Sequence, residues 1–121
     1  MMRTALAAAT LALAAMPALA QQTTSLAPGA LLRALDKVSG QITDIEMKTG
    51  DTQNFGRLTI HLNECRFPEG NRAGDAFAGL EIRDVTANEA VFEGWMIASA
   101  PALSALDHAQ YDVWVIRCIT S

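Results

Sequence analysis

The chain has 121 residues, half of them apolar, with 9 basic and 13 acidic side chains and a formal charge of −4. That length allows one domain and leaves no room for two. Mild acidity with no Lys/Arg run excludes the electrostatic footprint of a nucleic-acid-binding protein.

Much of the apolar content sits at the start. Met1-Met2-Arg3 is a short basic region, and Thr4 to Met16 is an uncharged Ala/Leu run. Pro17 breaks that run, and Ala18-Leu19-Ala20 follows as a small-x-small cleavage site. This is the anatomy of a secretory signal peptide over residues 1–20. The run is too short for a transmembrane helix, which needs about 20 apolar residues. Gln21 rather than a cysteine follows, so no lipid anchor is expected. The mature chain, 21–121, keeps 8 basic and 13 acidic residues and has no later stretch fit to span a membrane. The expected location is the periplasm or the medium.

Residues 21–30 are small and polar around Pro28-Gly29 and read as a flexible tail. Residues 31–121 read as a single all-β domain, an antiparallel barrel or sandwich of about six strands. Leu31 to Val38 is the first strand, Ser39-Gly40 a turn, and Gln41 to Met47 the second strand. Ile42 and Ile45 lie three apart, so a bulge near Thr43-Asp44 is needed to put both on one face. Thr49-Gly50-Asp51 turns the chain, and Asn54-Phe55-Gly56 leads into Leu58–Cys65. In that strand Leu58, Ile60 and Leu62 alternate with Thr59, His61 and Asn63.

Residues 66–75 read as an exposed loop. Ala76 to Val85 turns Ala78, Leu80 and Ile82 inward, and Thr86-Ala87-Asn88-Glu89 makes a hairpin. In Ala90 to Ser99, Phe92, Gly94, Met96 and Ala98 share one face, and Trp95 and Ile97 the other, so both faces are expected to be covered. Pro101 to Leu106 is the one expected helix, with Ser99 as its cap. Tyr111 to Cys118 is apolar on both faces and reads as a central strand. Cys65 and Cys118 are the only cysteines, with no C-x-x-C spacing. In an exported chain they form a disulfide closing a loop of just over fifty residues, worth about 4 kcal/mol by chain entropy.

One block is distinctive: Gly94-Trp95-Met96-Ile97-Ala98-Ser99-Ala100-Pro101-Ala102-Leu103-Ser104-Ala105-Leu106-Asp107-His108, then Tyr111-Asp112-Val113-Trp114-Val115 and Cys118. With Leu35-Asp36-Lys37, Gly40, Phe55-Gly56-Arg57-Leu58 and Cys65, it resembles the bacterial family known as domain of unknown function 2155. The resemblance covers about residues 31–119. It implies a small exported protein without an assigned activity. It also implies a genomic association with an accessory subunit of the respiratory NADH–quinone oxidoreductase. The loop after Cys65 is shorter and less proline-rich than the family pattern.

No catalytic set converges in the sequence. Ser104, Asp107 and His108 carry the sharpest enzymatic pattern, because Ser104 and His108 are i and i+4 on a helix. They lack a nucleophile elbow, and a helix end with backbone hydrogen bonds explains Asp107 and His108 better. His61 and His108, with Glu64 or Asp107, do not have metal-ligand spacing. Glu64, Glu81 and Glu93 match a glycosidase pair by residue type only. Gly70-Asn71-Arg72-Ala73-Gly74 lacks the lysine of a phosphate loop.

The expectation is therefore a non-enzymatic accessory domain of the envelope, with no cofactor and no metal. Its expected partner is an envelope or membrane-complex protein, met by a surface drawn from Trp95, Ile97, Phe67 and Arg72. The alternatives are an inhibitor or ligand-binding β module using the 66–75 loop, and a small hydrolase using His108.

Overall fold

The computed structural model describes residues 23–120, so the leader read at residues 1–20 lies outside the described residues. Eight strands follow in order: β1 Thr24–Ala27, β2 Gly29–Asp36, β3 Ile42–Lys48, β4 Thr52–Phe55, β5 Leu58–Pro68, β6 Phe77–Asp84, β7 Glu89–Ile97 and β8 Tyr111–Ile119. All pairings are antiparallel. The larger sheet runs β1-β5-β6-β7, with β4 also on β5, and the smaller runs β3-β2-β8.

The all-β reading holds, and the two strands beyond the expected six are β1 and β4. Both lie along β5, β4 on residues 58–61 and β1 on residues 65–68. The flexible tail is therefore corrected for Thr24–Ala27, which are laddered to Cys65–Pro68. Residues 66–68, expected in a loop, are the end of β5.

The two sheets join at one corner. β1 passes into β2 through Pro28, and β3 passes into β4 through residues 49–51. Backbone bonds keep the corner closed: Thr49 N–H donates to the Pro28 carbonyl, Gly50 N–H to that of Leu62, and Leu62 N–H to that of Asp51. Gly29 makes this approach feasible, since a Cβ there would meet the Met47 carbonyl oxygen at 2.3 Å. That neighbour is backbone and cannot swing away. Gly29→Ala is expected to lower Tm by about 5–10 °C, read by thermal denaturation; an unchanged Tm would show that the corner opens freely.

Between the sheets lies the core, built from Leu32, Met47, Leu58, Ile60, Leu62, Leu80, Ile82, Met96, Val113 and Val115. The inward sets read from Leu58–Cys65 and Ala76–Val85 are buried as expected. β3 differs: its register against β2 is unbroken from Ile42 to Lys48, with no bulge at Thr43-Asp44. Ile45 and Met47 face the core, and Ile42 faces solvent at 61% exposure. An apolar residue on a solvated face cost the alternation its legibility.

β8 is an edge strand rather than a central one. Val113 and Val115 are buried, while Trp114 and Ile116 are half-buried on its outer side. The disulfide Cys65–Cys118 fastens this edge to β5, with Cα atoms 5.7 Å apart.

The segment 98–110 contains no helix. It turns through bonds from Ala100 N–H to the Ile97 carbonyl and from Leu103 N–H to the Ala100 carbonyl. Five or six residues are too few to sustain a helix alone, and the segment is held at both ends instead. Asp75 accepts from the Ser99 amide and hydroxyl, and Leu106 is drawn into the core at 6% exposure.

Candidate functional site

Two places gather chemistry: a buried polar hub below the 98–110 segment, and the outer face of the larger sheet.

The hub centres on Asp84, the one buried charged residue among those described, at 5% exposure. It ends β6 on the inward parity of Ala78, Leu80 and Ile82. Its Oδ1 accepts from the amides of Thr86 and Ala87, which shapes the β6–β7 turn. Its Oδ2 lies 2.9 Å from His108 Nε2 and 3.8 Å from Arg57 Nη2. The amides of Gln110 and Tyr111 both donate to His108 Nδ1, at 3.0 and 3.2 Å. An N–H can donate only to an unprotonated nitrogen, so the imidazole carries its proton on Nε2 and donates it to Asp84. The His108 hydrogen bond, followed by the turn amides and Arg57, holds the Asp84 carboxyl below its ordinary range, against the opposing effect of burial.

Arg57 and Tyr111 complete the cluster. Arg57 N–H donates to the Tyr111 hydroxyl at 3.2 Å, and the guanidinium sits 5.4 Å from the centre of the Tyr111 ring. Gly56 and Arg57 form a two-residue hairpin loop between Phe55 and Leu58, with φ +56° at Gly56. A positive φ at the first loop residue alone is the requirement of a type II′ turn. The same glycine lets the Tyr111 hydroxyl approach, since a Cβ there would lie 2.3 Å from it.

This hub joins four segments and leaves little for catalysis. Both His108 nitrogens are occupied by internal partners, so none remains to activate a nucleophile. Ser104 and Asp107 do not share a helix with it, and Asp107 is exposed. His61 Nδ1 pairs instead with Thr52 Oγ1 at 2.8 Å. No group of three or more His, Cys, Asp or Glu among the described residues is arranged to hold a metal ion.

The outer face of the larger sheet is read in rows across the strands. Leu26, Arg66, Phe77 and Ile97 are register partners in one row. Glu64, Gly79 and Trp95 form the next, and His61, Glu81 and Glu93 the third. Leu26 is 60% exposed and Trp95 44% exposed. The expectation that the strand bearing Trp95 is covered on both sides is therefore corrected. The Trp95 ring lies across Gly79, 3.5 Å from where a Cβ would stand. Arg66 extends its stem within the first row and pairs its head with Glu64 at 3.2 Å. The result is a strip on one sheet face whose apolar side chains come from β1, β6 and β7, with Arg66 of β5 between Leu26 and Phe77; Leu26 and Trp95 are exposed, and Phe77 and Ile97 are half-buried.

Of the four residues expected to form a partner surface, Trp95 and Ile97 share this face. Phe67 sits on the opposite face and packs against the core, because its parity follows Cys65. Arg72 is exposed in the 69–76 connection, off the sheet face. Leu26 and Phe77 belong to the strip and were not read from the sequence. Phe77 carried a signal, being out of phase with Ala78 and Leu80; Leu26 stood in a segment read as a tail. Two further depressions of about 350 Å3 are open to solvent. One lies at the Pro28–Gly29 corner, the other between Pro101–Ala105 and Trp114.

Comparison with known proteins agrees with the sequence resemblance. Residues 30–118 match a family described as an uncharacterized protein conserved in bacteria, domain of unknown function 2155. Uncharacterized protein RP359 of Rickettsia prowazekii (strain Madrid E) is 27% identical over 88 residues. That alignment covers 70% of this chain and 57% of the relative, so the chain matches little more than half of that protein's length. No solved structure matches the chain.

Proposed function

The chain belongs to the bacterial family domain of unknown function 2155, and from that premise we propose that it is an exported, non-catalytic envelope domain that binds another envelope protein through the outer face of its larger sheet. The carrying observation is the set Leu26, Phe77, Ile97 and Trp95, apolar side chains of β1, β6 and β7 on one uncovered sheet face, with Leu26 and Trp95 exposed and Phe77 and Ile97 half-buried. Contiguous exposed apolar surface on a small protein marks interaction sites, and tryptophan is enriched among the residues that dominate binding energy. Export rests on the leader anatomy of residues 1–20, and a disulfide suits an oxidising compartment. An accessory role beside a respiratory membrane complex is the narrower form of this reading.

The test is site-specific photocrosslinking in intact cells of the native host. A benzophenone side chain at Ala90, exposed and in register with Arg83 in the row beyond Glu81 and Glu93 on the same face, is expected to give one discrete protein adduct. The same group at Val38, 79% exposed in the β2–β3 turn, is expected to give none. Equal labelling from both positions, or none from Ala90, would sink the reading. Mass spectrometry of the adduct distinguishes a respiratory-complex subunit from another envelope protein.

A further inference from the structure

We infer that the partner surface for this face is basic as well as apolar: a protein segment that sets apolar side chains on the Trp95 strip and lysine or arginine against Glu81 and Glu93. This rests on the partner-binding reading above and specifies what would bind. Glu81 and Glu93 are direct register partners on neighbouring strands, one row from Trp95. Both are exposed, and neither has an ion pair among the described residues. Like charges directly opposite across a ladder are destabilising. The neighbouring carboxylate behaves differently, since Glu64 is neutralised by Arg66 within the same face. The strip therefore ends in two adjacent carboxylates without an ion pair, with His61 beside Glu81 and Arg83 one row beyond on the same face, and a partner cation is the group that relieves their repulsion.

The same charges argue against two other occupants. A second copy packed face to face brings Glu81 and Glu93 toward an equally acidic surface. An anionic membrane surface meets the same repulsion, in a chain that is already net acidic. Charge complementarity at the rim sets partner choice and encounter rate, while the apolar anchors supply most of the affinity.

The experiment compares the Ala90 crosslink in the otherwise natural chain with that in the Glu81→Gln/Glu93→Gln background, alongside the Tm of each purified protein. The two readouts are expected to move in opposite directions. Relieving the repulsion raises Tm by about 3 °C, and the crosslink yield falls at least fivefold. Glu46→Gln, an exposed carboxylate of β3 in the smaller sheet, is expected to leave the yield unchanged. A yield that persists in the double variant overturns the basic-partner inference and leaves the partner reading standing. An adduct to lipid, or one of twice the chain's mass, overturns it in favour of a membrane or a second copy. Absence of any adduct in the natural background sinks both readings together.

Discussion

Removing the Cys65–Cys118 bridge is expected to lower Tm by about 20 °C. The bridge spans 53 positions of sequence, and the chain entropy of closing such a loop corresponds to about 4 kcal/mol. For a domain near 100 residues each kcal/mol moves Tm by roughly 4–8 °C. Topology makes the loss larger than for a bridge within one sheet. β8 is hydrogen-bonded only to β2 and forms the free edge of the smaller sheet. On its other side it meets β5, β6 and β7 by packing and by this one covalent tie. Without the tie, the two sheets remain laddered together only at the Pro28–Asp51 corner. Calorimetry of Cys65→Ala/Cys118→Ala, and of the natural chain with reductant, measures the effect. Hydrogen exchange is expected to locate the loosening in β8 before β5. A drop below about 5 °C would show that the packing of Val113 and Val115 and the contacts of Tyr111 with Arg57 hold the edge without the bridge.

How much of this was legible follows from which faces are buried. Leu58, Ile60 and Leu62 alternate cleanly because β5 packs one side against the core, and the reading succeeded there. Ile42 defeated the same logic: it lies outward, and the chain gives no local sign that a β-branched apolar residue is solvated. β1 escaped because Thr24-Ser25-Leu26 carries no alternation, and its existence depends on the distant end of β5. The 101–106 helix was read from proline and alanine placement, which are local signals. Leu106 in the core and Asp75 on Ser99 are tertiary ties that override them. At the candidate face, Trp95 and Ile97 were legible by parity. The strip as a whole was not, because it is assembled by register across β1, β5, β6 and β7.

Asp84→Asn is expected to lower Tm by roughly 10 °C, although it preserves size and shape. The carboxylate has two acceptor oxygens and uses both. Oδ1 takes two turn amides, and Oδ2 takes His108 Nε2–H. A carboxamide has one acceptor oxygen and a donor NH2, so one side of the hub must face donor to donor. The imidazole cannot resolve this by changing tautomer, because the amides of Gln110 and Tyr111 donate to its Nδ1. The parity Ala78, Leu80, Ile82 runs straight to Asp84, so a charged residue at a core-facing position was the sequence signal for this hub. Its pH dependence has a definite sign. The folded-state pKa of Asp84 is lowered, so its contribution is present above the unfolded value of about 3.9 and is lost as pH falls through the lowered folded value. The natural chain is therefore expected to show an acid limb of stability below about pH 4 that is shallower in Asp84→Asn. Nitrogen shifts of His108 in the natural chain check the premise: the neutral Nε2–H tautomer is expected. An Nδ1–H tautomer, or parallel acid limbs in the two proteins, would overturn this account of what holds the 98–110 segment to the sheets.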